Sequence, residues 1–454
     1  MEVETISKLE YIKPSSPTPP NLKTYKISLL DQFLSSIYIP TIIFYQNNQI
    51  STGHADIVSQ RSQLLKQSLS ETLTRFYPLA GKIKDNLSID CNDEGVYYSE
   101  TRVSCRLVDC LNRPNLRTFH LFLPQGVSWS GATAGDHVAK IQVNNFACGG
   151  VAIGVLVCHM IADGTAFSAF LKAWAATTLE VSEDVICPNF NAPTIFIQNE
   201  AYPMEATLMA LTMPLLRSGR CTGRRIVFDA SVIASLKAKA TSSSIPTPTR
   251  VEVVSALLVK CIMAAFKTKS GIEKPTFYTH AMNLRRTAAP PFPESSMGNF
   301  IWVAGVLCMD DEKMELAYMV RKLREAKTKI DADFVKDLQG DGGFPKLYEH
   351  VNAMGGTLSS AASHRGMDYI SFTSWCNFGL YDIDFGWGKP MWVSCIDSSD
   401  EREQVFPNTI MLMDTRCGGG IEAWVWLDKE DIAMLDQDKE LLAFASLDPS
   451  PIKV

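Results

Sequence analysis

The sequence predicts an α/β protein made of two similar-sized domains with mixed sheets. A chain of 454 residues with 46% hydrophobic and 20% charged side chains can bury a large core, and its length favours more than one domain. Helix-like and strand-like patterns mix in both halves without a strict βαβ repeat, which favours mixed sheets. The stretch 187–224 has no clean period and is longer than ordinary connections. We therefore predict a first domain at 1–190, a crossover linker at 191–224 and a second domain at 225–454.

The first half alternates between helical and extended patterns. Residues 61–76 place apolar side chains at three- and four-residue spacing, which predicts a helix that the following YPLAG ends. Residues 88–103 read as two short strands around a turn, and 137–159 read as two more strands broken at Gly149-Gly150. A helix is predicted from 165 to 178.

The second half repeats this mixture. Its predicted strands are 224–229, 276–286, 369–374, 391–396, 408–414 and 421–427. Its predicted helices are 230–240, 250–267, the charged amphipathic 310–330, and one from Lys429.

Composition excludes several classes of function. The net charge is −6 and no run of Lys or Arg exceeds a pair, so nucleic acid is not an expected partner. The N-terminus has acids and no apolar core of a signal peptide, and no stretch of about 18 apolar residues suggests a membrane span. Twelve cysteines without a C-x-x-C pair indicate neither a zinc knuckle nor a dense disulfide framework. We expect a cytosolic protein.

The motif search leaves one candidate centre. The chain has no GxxxxGK[ST], no G-x-S-x-G and no H-E-x-x-H, and its seven histidines form no local metal set. What remains is VLVCHMIADG, in which an apolar strand ends at His159 and Asp163 follows four residues later. An imidazole at a strand end lies where ligand sites of α/β proteins occur, and near pH 7 it can take a proton from a hydroxyl.

This pattern leaves alternatives open. Asp163 could orient the imidazole, or it could anchor the turn by pairing with a distant arginine. A histidine satisfied by backbone hydrogen bonds at the end of a strand would show the same residues. A nucleophilic Cys158 is disfavoured, because alternation along the strand points its side chain away from that of His159.

A second unusual stretch is YDIDFGWGKP at 381–390. It combines two glycines, two aromatic residues and Asp384 in a turn, which indicates a demanding local conformation. Taken alone, it is also compatible with a purely structural tight turn.

Together, in this order and distance, the two stretches resemble the BAHD acyltransferases, which move an acyl group from a coenzyme A thioester to an alcohol or amine. HMIADG matches the HxxxDG motif of that family and DFGWG its second signature. The resemblance extends over the chain through FYPLAG, IDCNDEGV, MNLR, MGN and LMDTR. Within the family the chain is most similar to indole-alkaloid acetyltransferases, through IKPSSPTP, SWC and GLYDIDFGWGKP.

The resemblance implies a fold like that of chloramphenicol acetyltransferase, with a channel between the domains, and roles for six residues. His159 is the implied general base, and Asp163 is implied to pair with Arg285 as structural support. Asp384 is implied to hold a loop through an ion pair. Thr373 and Trp375 are implied to approach the acyl or acceptor group and to hold the oxyanion. The resemblance further implies acyl-CoA as co-substrate, no bound cofactor, no covalent acyl-enzyme and a monomer.

Two departures from the family pattern guide the donor prediction. Asn377 stands where relatives often carry arginine, and MGNF replaces the YFGNC-type motif of malonyltransferases. We therefore predict acetyl-CoA as donor and an alkaloid or similar specialised metabolite as acceptor alcohol. A malonyl or larger donor stays open, since Arg416 or His364 could reach the site. So does a catalytically silent binding protein, although the intact motifs disfavour it.

Overall fold

The computed structural model describes residues 2–5, 9–34, 37–47, 54–124, 131–181, 186–200, 215–309, 314–361, 366–395 and 404–452. The strands of the first half are β1 Val3–Thr5, β2 Glu10–Ile12, β3 Thr24–Lys26, β4 Tyr38–Tyr45, β5 Lys82–Asp85, β6 Ser88–Asp90, β7 Val96–Val103, β8 Ala139–Phe146 and β9 Val151–Cys158. Its helices are α1 His54–Arg75, α2 Leu107–Asn112, α3 Gly164–Thr178 and α4 Ala192–Ile195.

The second half continues in the same way. Its strands are β10 Leu216–Gly219, β11 Cys221–Phe228, β12 Thr276–Asn283, β13 Ile301–Cys308, β14 Asp368–Ser374, β15 Trp392–Ser394, β16 Gln404–Pro407, β17 Thr409–Asp414, β18 Ile421–Asp428 and β19 Ser446–Leu447. Its helices are α5 Ala230–Ala240, α6 Arg250–Ser270, α7 Leu316–Lys327, α8 Ala332–Asp337, α9 Gly343–Ala361, α10 Lys429–Leu435 and α11 Lys439–Leu442.

The first large sheet has the order β1-β7-β8-β9-β4-β15, with β2 also paired to β7. β7 and β8 run parallel, whereas β9 pairs antiparallel with both β8 and β4, so the sheet is mixed as predicted. All eight residues of β9 are buried. At Gly154 the segment 116–122 approaches so closely that a Cβ would lie 2.1 Å from the carbonyl oxygen of Phe122. This enclosed strand ends immediately before His159.

The second large sheet has the order β13-β12-β14-β17-β18-β11-β19 and is also mixed, because β12, β14 and β17 run parallel and the other neighbours antiparallel. One face of β13 packs into the second core through Trp302, Ala304, Val306 and Cys308. The alternate residues Ile301, Val303, Gly305 and Leu307 are half-buried or exposed. These four residues are uncharged, and the side of the sheet on which they lie is called the open face below.

Sheet membership does not follow the predicted domain boundaries throughout. β15 lies in the predicted second domain, yet it pairs antiparallel with β4 and completes the first sheet. β11 begins at Cys221, inside the predicted linker 191–224. The two halves therefore share a strand, and the boundaries at 190 and 225 stay predictions. No helix among the residues described has the length and apolarity needed to cross a membrane.

Candidate active site

His159 directly follows β9 and is held in place by its backbone. Its amide donates to the carbonyl oxygen of Ile37 at 2.7 Å. Cys158, the residue before it, is fully buried, and burial raises the pKa of its thiol to about 12. The Cys158 side chain therefore lies inside the core as a protonated thiol, as strand alternation predicted, whereas His159 keeps a partly exposed side chain.

Asn299 fixes the tautomer of His159. The amide nitrogen Nδ2 of Asn299 donates to two acceptors, the carbonyl oxygen of His159 at 2.6 Å and Oδ1 of Asp31 at 2.8 Å. The orientation of this amide is thereby set, so its Oδ1, 2.9 Å from Nδ1 of His159, must accept a proton from the ring. Nδ1 carries the proton, and Nε2 keeps a lone pair that can accept one from a substrate.

The surroundings of His159 favour this neutral form. Desolvation lowers the pKa of His159, and the charge of Asp163 and the hydrogen bond to Asn299 oppose the shift without cancelling it. A base must be unprotonated at the working pH, so the direction of this shift suits general base catalysis.

Asp163 ends the turn between β9 and α3 and supports the architecture. Its Oδ1 caps α3 by accepting from the amide of Ala166 at 2.9 Å, and its Oδ2 accepts from the amide of Phe300 at 3.0 Å. Arg285 binds the same carboxylate through both terminal nitrogens, at 2.6 and 3.1 Å. The predicted pairing of Asp163 with Arg285 is confirmed, and this resolves the two roles that the sequence left open.

Arg285 also connects the His159 turn to the loop that carries Asn299. Its Nη2 donates to the carbonyl oxygens of Ser296 at 2.7 Å and Gly298 at 3.2 Å. Its guanidinium carbon lies 4.4 Å from the ring centroid of Phe300. The buried ion pair therefore links the turn that carries His159 and Asp163 to the loop that carries Asn299.

Trp375 packs against the start of α3, and Thr373 lies two residues before it on β14. The Trp375 ring lies 5.9 Å from that of Phe167, and its Nε1 lies 3.1 Å from where a Cβ of Gly164 would be. Thr373 is half-buried and alternates with Phe372, which packs into the second core. The structure thus brings Trp375 to the first turn of α3 and places Thr373 on the open face.

Asp384 holds its loop through two backbone amides. Its Oδ1 accepts from the amides of Gly386 at 2.8 Å and Gly388 at 2.9 Å. Among the residues that the structure describes, no cation lies within ion-pair distance of Asp384, and the ion pair stays a prediction. Gly386 and Gly388 have φ of 98° and 109°, which requires glycine. The rings of Phe385 and Trp387 pack against Tyr45 of β4, and these contacts hold the loop before β15 against the first sheet.

A cavity of about 340 Å³ opens beside Trp375. Its lining includes Arg250, Asn377, Asp414 and Arg416. Trp375 borders this cavity and also packs against Gly164, so the cavity approaches the His159 turn from one side.

Arg250 changes the expected chemistry at Asn377. Its Nη2 lies 3.2 Å from Oδ1 of Asn377 and 2.9 Å from Oδ1 of Asp414. The segment around Asn377 has no basic residue of its own, as the sequence indicated, but α6 brings the guanidinium of Arg250 to it. Arg416 is exposed at the same cavity, and His364 lies outside the described residues.

Three residues of this site were not assigned by the sequence. Asn299 belongs to the MGN segment, which was noted without a role, and neither Asp31 nor Arg250 was singled out. Only the contact of each with a residue far away in the chain identifies them. In the part of the chain that the structure describes, no group of three or more His, Cys, Asp or Glu side chains could hold a metal ion.

Comparison with known proteins shows the family to which this chain belongs. Residues 1–442 match the family described as "Transferase family". The chain is 52% identical to an epi-neemfruitin B 7-O-acetyltransferase of Melia azedarach and 51% identical to a limonoid 7-O-acetyltransferase of Citrus sinensis, in each case over the full length of both proteins.

A solved structure agrees with the sequence matches. The crystal structure of vinorine synthase superimposes with a TM-score of 0.80 at 33% identity and covers 98% of this chain and 99% of that one. The two-domain α/β fold with mixed sheets is thereby confirmed. The chain shares more residues with the two 7-O-acetyltransferases than with vinorine synthase.

Proposed function

The chain belongs to the BAHD acyltransferase family, and on that premise we propose that it transfers an acetyl group from acetyl-CoA to a hydroxyl of a limonoid-class alcohol. The observation that carries the proposal is the neutral His159, with its proton held on Nδ1 by Asn299 and its Nε2 lone pair available. A base in this state accepts the proton of an alcohol as the oxygen attacks a thioester.

The steps follow from that geometry. The acceptor hydroxyl gives its proton to Nε2 of His159 while its oxygen bonds to the thioester carbonyl carbon. Collapse of the tetrahedral intermediate breaks the carbon–sulfur bond, and the imidazolium returns the proton to the coenzyme A thiolate, a better leaving group than an alkoxide. We assign oxyanion stabilisation to the Thr373 hydroxyl and the Trp375 indole N–H. No covalent acyl-enzyme is needed.

The cavity beside Trp375 supports acyl-CoA as the co-substrate. It carries two arginines, Arg250 and Arg416, and approaches the catalytic turn through Trp375. Guanidinium groups bind phosphate oxygens with matched geometry. We assign this cavity to one end of the channel between the two halves, with Arg416 as a contact for the phosphates of the donor.

The donor proposal is acetyl rather than malonyl. Arg250 is already paired with Asp414, which also accepts from the amide of Asn377 at 2.6 Å. A malonyl carboxylate brought to this position would meet Asp414 as well as the cation, and burying a charge without a free partner is costly. The two most similar acetyltransferases reported above support the same donor.

The open face supports a neutral, apolar acceptor. Asn283 on this face donates to Thr165 Oγ1 at 3.1 Å, at the start of α3, so the face begins beside the His159 turn. Its residues on β12 and β13 are Phe277, Thr279, Ala281, Asn283, Ile301, Val303, Gly305 and Leu307. None of these eight carries a charge. A protonated alkaloid amine would find no anion on these two strands, and Glu422 on the same side of β18 is buried in an ion pair with Arg225, which favours a limonoid-class alcohol over an alkaloid.

A competition assay tests donor and acceptor together. The purified protein is incubated with equimolar acetyl-CoA and malonyl-CoA and either a limonoid with a free 7-hydroxyl or an indole-alkaloid alcohol, and products are identified by mass. We expect acetylated limonoid as the main product and a rate about 100- to 10,000-fold lower with His159→Ala. A predominantly malonylated product would overturn the donor, and preferential turnover of the alkaloid would overturn the acceptor.

The same assay separates an enzyme from a silent binding protein. A silent relative would retain acceptor without forming product, whatever the donor. A monomer in the cytosol stays a prediction, which light scattering of the purified protein and imaging of a fluorescent fusion would check.

A further inference from the structure

Asp31 lies directly behind the residue that orients the base. It begins a short 3-10 helix, Asp31–Phe33, and only 1% of it is exposed. Its Oδ1 accepts from the amide of Asn299 at 2.6 Å and from Nδ2 of Asn299 at 2.8 Å. Its Oδ2 accepts from the amide and the hydroxyl of Ser28, both at 2.7 Å. The carboxylate therefore receives four hydrogen bonds from two residues.

These contacts hold the ionised form of Asp31. Ser28 Oγ accepts from the amide of Asp31 at 3.2 Å, so its own hydrogen points to Oδ2. Every contact of the carboxylate is then a donor, and a proton on it would have no acceptor. Burial raises the pKa of Asp31, and the hydrogen bonds from Ser28 and Asn299 oppose the shift without cancelling it.

The charge on Asp31 differs from that on Asp163. Asp163 is matched by Arg285, whereas none of the ion pairs between described residues includes Asp31. A buried carboxylate that pairs with no described cation therefore lies one amide away from the imidazole, because Asn299 contacts Oδ1 of Asp31 and Nδ1 of His159 at the same time.

We propose that Asp31 is a positioning residue that holds the Asn299 amide and whose charge stabilises the imidazolium of His159 as the acceptor hydroxyl is deprotonated. The inference rests on the proposed role of His159 as base. Asp31 turns the Nδ2 of Asn299 towards itself, so Oδ1 faces the ring and Nε2 stays free. When Nε2 accepts a proton, His159 becomes positive, and the nearby negative charge lowers the energy of that state.

The test replaces the charge with a neutral group of the same shape, Asp31→Asn, and measures the acceptor KM, kcat and the pH profile. We expect kcat to fall by about 10- to 100-fold with little change in KM. We also expect the acid limb of kcat/KM to move to lower pH, since loss of a negative charge lowers the pKa of a nearby histidine. The matched control is Asp368→Asn, which neutralises another buried carboxylate, paired with Arg217, and should leave kcat and the acid limb unchanged.

A purely structural role would lower thermal stability in both variants and move neither kcat per folded molecule nor the acid limb, and this result overturns the proposal. If Asp31→Asn does not fold, the variant to measure is Ser28→Ala. It removes one hydrogen bond to Oδ2 of Asp31, which makes the carboxylate easier to protonate. The ratio of kcat at pH 8 to kcat at pH 6 should then exceed that of the wild type, and an equal ratio contradicts the proposal. Absence of turnover in the wild type would instead count against the proposed function.

Discussion

Arg285→Ala tests how far the active site depends on one buried ion pair. The Arg285 side chain has no exposed surface and that of Asp163 has 3%. The substitution leaves Asp163 as a buried carboxylate whose remaining donors are the amides of Ala166 and Phe300. It also removes the donors to two loop carbonyls. Loss of one partner of such a pair costs about 3–5 kcal/mol, so we expect a destabilisation of that size.

The measurement is a double-mutant cycle in urea, with unfolding followed by circular dichroism. Asp163→Asn and Arg285→Ala should each destabilise the protein, and the double variant should lose less than the sum by about 1–3 kcal/mol, because the two residues are direct partners. Arg286→Ala is the matched control, since it removes the neighbouring arginine, whose pair with Glu294 is exposed. It should change stability by less than about 1 kcal/mol. Additive losses for Asp163 and Arg285 would refute the reasoning.

Three further predictions concern the catalytic turn and the loop behind it. Burial lowers the pKa of His159, so its neutral form should persist as the pH falls. The acid limb of kcat/KM should therefore have its midpoint below the usual histidine value of about 6.5, and a midpoint above that value would contradict the site described. Gly164→Ala would place a Cβ 3.1 Å from Nε1 of Trp375 and 2.5 Å from the ring of Phe378. We expect kinetics to show a lower kcat and circular dichroism to show an unchanged fold. An unchanged kcat would argue against a role for Trp375. Asp384→Ala removes the acceptor for two loop amides and should lower the melting temperature through loss of about 1–3 kcal/mol, and an unchanged value in calorimetry would show that the aromatic contacts hold the loop alone.

Local patterns predicted the elements that carry the catalytic motif. The apolar run before His159 is the fully buried β9, and α3 begins at Gly164, one residue before the predicted start. The sequence analysis missed a helix and a strand that contain residues unfavourable to helices or strands. α9, Gly343–Ala361, contains Pro345 and two adjacent glycines, which weaken its helical signal. β4 contains Pro40, which is tolerated because β15 pairs only with residues 42–44 of that strand.

The parts of the site that escaped prediction are contacts between distant segments. His159 and Asn299 are 140 residues apart, and Asp31 and Asn299 are 268 apart. No local spacing encodes such a contact, since it depends on how two sheets meet. The pairing of Asp163 with Arg285 was foreseen only through the family resemblance. The place of Arg250 beside Asn377 follows from its ion pair with Asp414, 164 residues away in the chain.

The most direct test of the central claim is the rate of acyl transfer by His159→Ala. Removal of the base should lower kcat/KM by about 100- to 10,000-fold while circular dichroism and the melting temperature show an intact fold. Cys158→Ala is the matched control, because it changes the preceding residue of the same strand, whose thiol is buried and protonated, and it should retain turnover. A His159→Ala variant with near-normal turnover, or a Cys158→Ala variant that alone loses it, would contradict the assignment of His159 as the base.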